Sequence, residues 1–317
     1  MQTRRQRSVV ASLVLAAVMV LAAGMAMAVS LAPPHAATAA STGEKEAPQL
    51  SSATEAALTA AVHGAVKPTG KVDATLQYSY NWAGYVDDPS SSGQIYEVRA
   101  EWSVPTIVKC AEASGTAVEV MWIGIDGWTN GNVSQAGTMS YCSAPGATPA
   151  YYDWWEFYPY NDIQVVADSS ANAFVSAYIL YNPYECVDQK CGVYTLELYD
   201  VDNGVNFVVT GGAWVCSSGV CEGGPDANAE CISEAPSGFG HPLYTPLAHY
   251  KSAKFLGCAA TIGSHFSGIG NPGSGVTVDQ VDQCNYTACT RDLQVTSGLS
   301  TSYYTKDTFS MTWKSYT

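Results

Sequence analysis

The chain has 317 residues, 28 acidic against 14 basic side chains, and a formal net charge of −14. A 47% hydrophobic fraction supports a substantial core and excludes a wholly disordered chain. The acidic balance excludes the basic patches that nucleic acid or an anionic membrane surface requires.

In chain order, the first feature is a positive start, Arg4, Arg5 and Arg7, followed by an apolar run from Val9 to Ala23 and then Ala26-Met27-Ala28. A basic region, an apolar region and a small-x-small site are the signature of a secretory signal peptide over residues 1–28. An uncleaved anchor is the alternative, because apolar character persists to Leu31. Residues 29–77 are rich in Ala, Ser and Thr, with Pro33-Pro34 and a short helix predicted over Ala53–Val66. They read as a pro-segment or a linker. Residues 1–77 contain no Phe, Tyr, Trp or Cys, so all 8 Trp, 20 Tyr, 7 Phe and 10 Cys lie from Tyr78 onward. The folded domain is therefore expected over residues 78–317.

From residue 78 the pattern is β. Tyr194, Leu196 and Leu198 alternate with Thr195 and Glu197, and Phe309, Met311 and Trp313 alternate with Ser310 and Thr312. Ile163–Val166 and Val205–Val209 read as further strands, the last preceded by the turn Asp202-Asn203-Gly204. No helical stripe is present. Many short strands over this length predict an all-β domain, an antiparallel sandwich or barrel.

The cysteines carry a pattern of their own. Cys186 with Cys191, Cys216 with Cys221, and Cys284 with Cys289 share one spacing, which suits hairpin ends. Cys110 with Cys142 and Cys231 with Cys258 are the remaining pairs expected, with metal ligation the alternative. A secreted, extracellular chain favours disulfides.

Chemistry is narrowed by what the sequence lacks. His241, His249 and His265 have no metal-ligand spacing. There is no G-x-S-x-G elbow, Asp-Thr/Ser-Gly triplet or P-loop, and no metal or nucleotide cofactor is expected. Acids, amides and aromatics remain, in four clusters. They are Asn81–Tyr85; Trp122–Gly127 continuing to Ser134–Thr138; Tyr151–Pro159; and Asn228–Pro236, where Glu230 and Glu234 share a face if the segment is extended. Aromatic walls around acids raise carboxyl pKa values by desolvation and like-charge repulsion.

The motifs N-W-A-G, W-S-V-P, W-I-G-I-D-G, Q-A-G-T, Y-x-x-W-x-E-x-Y-P and N-A-E-x-I-x-E-A-P occur in this order between Asn81 and Pro236. Together they resemble the glutamic peptidases, the eqolisin family. The resemblance implies a lectin-like sandwich of two antiparallel seven-stranded sheets, and a catalytic pair at Gln135 and Glu234. It implies cleft positions at Trp122, Asp126, Glu156 and Glu230 and protein or peptide substrates, and Trp82, Tyr151 and Trp154 of the aromatic clusters are further substrate-binding candidates. No cofactor or metal is expected, and the mature chain is expected to be a monomer free of membrane. Two departures stand out: the stretch between Asp126 and Gln135 is one residue shorter than in fungal members, and Asn130 and Pro225 replace cysteines.

The chemistry is coherent without the family name. Glu234 as a carboxylate takes a proton from water, while the Gln135 amide accepts from that water and donates to the developing oxyanion. From residue 72 onward 25 acids face 8 Lys and Arg, which limits self-repulsion in acid. An acid-working peptidase made as a precursor is the expectation. The rival class is a carbohydrate-binding or glycoside-hydrolysing sandwich, which would use two acids rather than an acid and an amide.

Overall fold

The computed structural model describes residues 40–41, 65, 67, 76–91, 95–110, 115–187, 190–212, 215–217, 220–222, 224–236, 245–286 and 289–316. By contacts the chain divides into Met1–Ala36, which lies outside the described residues, and Ala37–Thr317, which holds every element below. The signal-peptide reading and nearly all of Ala53–Val66 also fall outside them.

Among the described residues there is no α-helix; the domain is all-β. One layer runs, edge to edge, through Gln164–Asp168, Ala150–Tyr158, Val133–Cys142, Ala117–Ile125, Ala229–Glu234, Trp82–Pro89 and Val276–Cys284, every pairing antiparallel. The other runs through Val205–Gly211, Lys190–Asp200, Phe174–Val187, Ile95–Ser103, Ala253–Ile262 and Phe309–Trp313, again antiparallel. Asp292–Thr296 pairs with both Phe309–Trp313 and Val276–Cys284, so it joins the layers at one side. A small separate sheet pairs Ile107–Lys109 with His249–Tyr250.

The period of two along each strand sorts side chains onto opposite faces. Met121, Ile123 and Ile125 of the first layer meet Val175, Ile179, Leu196, Leu198 and Phe255 of the second in one core. The alternate residues, Val118, Val120 and Trp122, lie on the outer face of the first layer with Trp82, Trp154 and Ile232. That face forms its own buried cluster. A strand apolar on both sides, such as Ala117–Ile125, is the central-strand pattern: all nine residues are buried.

Among the described residues four disulfides are present: Cys110–Cys142, Cys186–Cys191, Cys231–Cys258 and Cys284–Cys289. Cys231–Cys258 ties Ala229–Glu234 of the first layer to Ala253–Ile262 of the second. Val215–Ser217 pairs with Val220–Glu222 so that Cys216 stands opposite Cys221. Their side chains lie outside the described residues. No helix among the described residues is long and apolar enough to cross a membrane.

Candidate active site

Five adjacent strands and their register build the outer face. Gln135 stands opposite Glu156 on one side and Gly124 on the other, and Gly124 stands opposite Glu230. Two residues along, Gly137, Trp122 and Ile232 form the next row. The row beyond holds Met139, Val120, Glu234 and Trp82. Trp122 therefore lies in the row between Gln135 and Glu234. Its ring needs the glycines beside it: a Cβ on Gly124 would meet the Trp122 ring at 2.5 Å, and one on Gly137 would meet Trp122 Cβ at 2.6 Å.

Glu234 is fully buried and held by two donors. Asn81 Nδ2 donates to Oε1 at 2.9 Å, and Trp122 Nε1 donates to Oε2 at 3.0 Å. The Trp82 indole, edge-on to Trp122 at 4.8 Å, also favours the ionised form, although its Nε1 makes no hydrogen bond of normal geometry. Burial pushes the Glu234 pKa well up, and the donors work against it.

Gln135 is buried too. Its Nε2 donates to Glu156 Oε2 at 2.6 Å, while its Oε1 has no partner among the described residues. Burial raises Glu156, the Gln135 bond lowers it, and the nearby Glu234 charge raises it further. Glu230 is more extreme: fully buried, with neither carboxyl oxygen partnered among the described residues. Burial and the charges of Asp126, Asp88 and Asp87 raise its pKa, against a small lowering by Lys67. An unsatisfied buried polar atom costs about 1–3 kcal/mol, so three on one face are an expensive arrangement for structure alone.

Trp154 joins this face and is buried. Tyr151 and Asp126 do not. Tyr151 has the opposite parity to Trp154 and Glu156, packs against the inter-layer core, and its hydroxyl accepts from Ile107 N at 3.3 Å. Asp126 follows the end of its strand at φ 76°, where alternation is lost. Its carboxylate accepts from the backbone N–H groups of Asp226 and Ala227 and from Asn130 Nδ2, which shapes the loop entering Ala229–Glu234. Burial pushes Asp126 to about 6 and the neighbouring Asp226 to about 7.

Sequence reasoning placed Asn81 in a motif but not in the site. Its role comes from a residue 153 positions away. Trp128 was also missed; it stacks on Trp82 at 6.1 Å and donates to Asp279 Oδ2 at 2.9 Å. Among the described residues no three His, Cys, Asp or Glu side chains are placed to hold a metal. His249 stacks on Trp313 at 3.9 Å, His265 is exposed, and His241 lies outside the described residues.

Two points of the upstream segment touch this face. Ala65 N donates to Gly127 O at 3.1 Å, and Ala65 packs on the cluster that contains Trp82 and Trp122. Lys67 Nζ sits 3.5 Å from the centroid of the Trp128 ring. Burial lowers its pKa, while Asp279, Asp88 and Glu230 raise it. Elsewhere, Ala40–Ser41 pairs with Phe207 and Val208 at the edge of the second layer.

Residues 80–303 match the Peptidase A4 family, and the chain belongs to it, among the glutamic peptidases or eqolisins. Scytalidoglutamic peptidase, solved with a peptide-based transition-state analogue, is similar at 19% identity, covering 74% of this chain and 98% of that one, with a TM-score of 0.51. SCP-B, an eqolisin solved with the tripeptide Ala-Ile-His, is similar at 17% identity over 74% of this chain and 98% of that one, with a TM-score of 0.50. These likenesses show a shared fold. No curated protein matches the chain by sequence. Family membership makes the protein a peptide hydrolase and sets aside the carbohydrate alternative.

Proposed function

We propose that the chain is a secreted acid endopeptidase in which Gln135 and Glu234 cleave peptide bonds with an activated water. The observation that carries this reading is the pairing of opposites on one face. Glu234 is held by two donors that favour its carboxylate, and Gln135 presents an unpartnered amide oxygen. In the proposed reaction, Glu234 takes a proton from a water whose second hydrogen is bonded to Gln135 Oε1. The water oxygen attacks the carbonyl carbon, and the oxyanion receives the second N–H of Gln135 Nε2, the first remaining on Glu156. Glu234 then gives its proton to the leaving amine as the C–N bond breaks.

The raised pKa values belong to a face that Ala65 covers. We read residues 29–77 as a pro-segment whose Ala65 and Lys67 lie on the cleft, with residues 1–28 as a signal peptide and 78–317 as the catalytic domain. Removing the cover admits water, reduces the desolvation that raises Glu234, and restores an ionised base in acid. The attraction of Lys67 to the charges of its acidic surroundings weakens as those acids take up protons, which favours release at low pH.

Glu230 is the other carboxyl that a base assignment must consider, because it shares a row with Gln135. With no donor to stabilise its charge it fits a neutral acid better than a base. Acid-incubated protein should digest a denatured protein substrate at acid pH. Glu234→Gln and Gln135→Ala should each lower kcat/KM by at least about 100-fold with circular dichroism unchanged. Retention of a tenth of wild-type activity by Glu234→Gln, with loss in Glu230→Gln, would move the base to Glu230.

A further inference from the structure

Behind the candidate dyad, on the inner side of the same sheet, lies a buried polar chain that the reaction above does not use. Glu119 is the one acid in the otherwise apolar Ala117–Ile125 strand and is fully buried. Ser140 Oγ lies 3.2 Å from Glu119 Oε2, and Ser233 Oγ lies 3.1 Å from Oε1. Ser233 Oγ is also 2.9 Å from Gln294 Oε1, which accepts from Tyr250 OH at 2.6 Å. Gln294 Nε2 donates to Ser233 O at 3.0 Å and to Gln283 Oε1 at 2.7 Å. Gln283 Nε2 donates to Tyr80 O at 3.0 Å. Both ends are next to the site: Ser233 precedes Glu234, and Tyr80 precedes Asn81, whose amide holds Glu234.

Counting hydrogens ties the direction of this chain to the proton on Glu119. Both Gln294 N–H groups are committed, so Gln294 Oε1 is an acceptor only. The Ser233 hydroxyl has one hydrogen and cannot serve both Gln294 and Glu119. If it serves Gln294, the contact with Glu119 needs a hydrogen from Glu119. An ionised Glu119 would instead draw the Ser233 hydrogen away and would sit without a counter-charge in a dry core.

We propose that Glu119 acts as a neutral carboxylic acid, donating to Ser233, and that this donor sets a relay through Gln294 and Gln283 which positions Asn81 against Glu234. Glu119 and Gln294 are then positioning residues for the dyad of the proposed function, on which this role rests. Burial with no cation nearby supports the neutral form, pushing Glu119 up to about 8; hydrogen bonds donated by Ser233 and Ser140 to an ionised Glu119 would oppose it, and Tyr250 is the other titratable group facing it. The isostere of a neutral carboxyl is a carboxamide, which supplies the same donor and acceptor.

The test compares Glu119→Gln, Glu119→Leu and Gln294→Leu on acid-matured protein, with kcat, KM and the melting temperature followed against pH. Glu119→Gln should keep kcat within about twofold of wild type, and its melting temperature should fall less than wild type between pH 5 and about 8. Glu119→Leu and Gln294→Leu should lose about tenfold in kcat with KM little changed, as expected when a catalytic group is misplaced. Their acid limbs should move to higher pH, because a looser Asn81 stabilises the Glu234 carboxylate less. A Glu119→Gln variant as impaired as Glu119→Leu would overturn the proposal, since it would mean that the ionised form is needed. Leucine variants that only melt earlier, with wild-type kcat and acid limb, would reduce the relay to scaffolding and overturn it as well. Should the leucine variants fail to fold, Ser233→Ala gives the same readouts with a smaller change in volume. A wild-type chain inactive at every pH would defeat the dyad reading instead, and the melting curves of Glu119→Gln would still decide the proton on Glu119.

Discussion

Two groups of buried polar side chains, on opposite faces of one sheet, are treated in opposite ways. On the inner side, Glu119 meets Ser140 and Ser233, and Gln294 has partners for its oxygen and its nitrogen. On the outer side, Gln135 Oε1 and both oxygens of Glu230 lack partners among the described residues. The strands are the same, and so is the burial. The difference separates what holds a fold from what waits for a substrate: a satisfied network stabilises one geometry, while an unsatisfied one stores binding capacity.

The sharpest way to break the comparison is to exchange single groups across the outer face. Glu234→Gln and Gln135→Ala carry the largest expected effect, the loss of at least about 100-fold set out above. Next is Trp122→Phe, which keeps the packing between Gly124 and Gly137 but removes the donor to Glu234 Oε2. A charge-assisted hydrogen bond is worth about 1.5–3 kcal/mol, so kcat/KM should fall by roughly 10- to 150-fold. With one fewer donor the Glu234 pKa rises, and the acid limb of the kcat/KM profile should move to higher pH. An unmoved limb would mean that Glu234 is not the group titrating there.

How much of this was legible in the sequence follows from the period of two. The strand Lys190–Asp200 shows alternation in its residues and in its burial, so its identity was plain. Gln135, Glu156, Glu230 and Glu234 fall on one face, as the alternation of their strands dictates. Tyr151 was grouped with them by nearness along the chain, yet its odd position relative to Glu156 sends it inward. Counting parity would have found this. Asp126 was less tractable, because a positive φ at a strand end cancels the alternation rule. Asn81, Glu119 and Gln294 were invisible as a group. Their contacts join strands whose adjacency no local pattern encodes, although a lone acid inside an apolar strand at Glu119 was itself a signal.

Stability against pH tests both faces together. Burial raises Asp87, Glu119, Asp126, Glu156, Asp226, Glu230 and Glu234, whereas Asp307, held by backbone N–H groups, is lowered. A raised carboxyl binds its proton more tightly in the folded chain than in the unfolded one. Its stabilisation is complete below the ordinary carboxylate range and is lost as pH rises through the folded value. Asp307 acts in the opposite sense, costing stability only as pH falls below that range. The melting temperature should therefore be highest near pH 4 and decline to pH 8, with Asp126, Asp226 and Glu119, at about 6, about 7 and about 8, each contributing to the fall. A flat profile over this interval would mean that these carboxyls are ionised in the fold.

The smallest effect expected is at Lys67, and it asks whether the outer face is covered by its own chain. Lys67 lies over Trp128, near Asp279, Asp88 and Glu230. The cation–π contact and the screened charges are together worth about 1 kcal/mol at such a partly exposed position. Lys67→Ala should weaken the hold of the pro-segment only modestly, by a few-fold, so that acid activation begins at a slightly higher pH than in wild type. Higher ionic strength should have the same direction of effect on wild type and less on the variant, because it screens the charged part of the contact and leaves the Ala65 bond to Gly127 in place. Following the appearance of activity after stepped acidification, at low and high salt, reads both. If Lys67→Ala and wild type activate at the same pH in both salts, the lysine is a bystander, and the cover over the outer face is held by Ala65 and its apolar contacts alone.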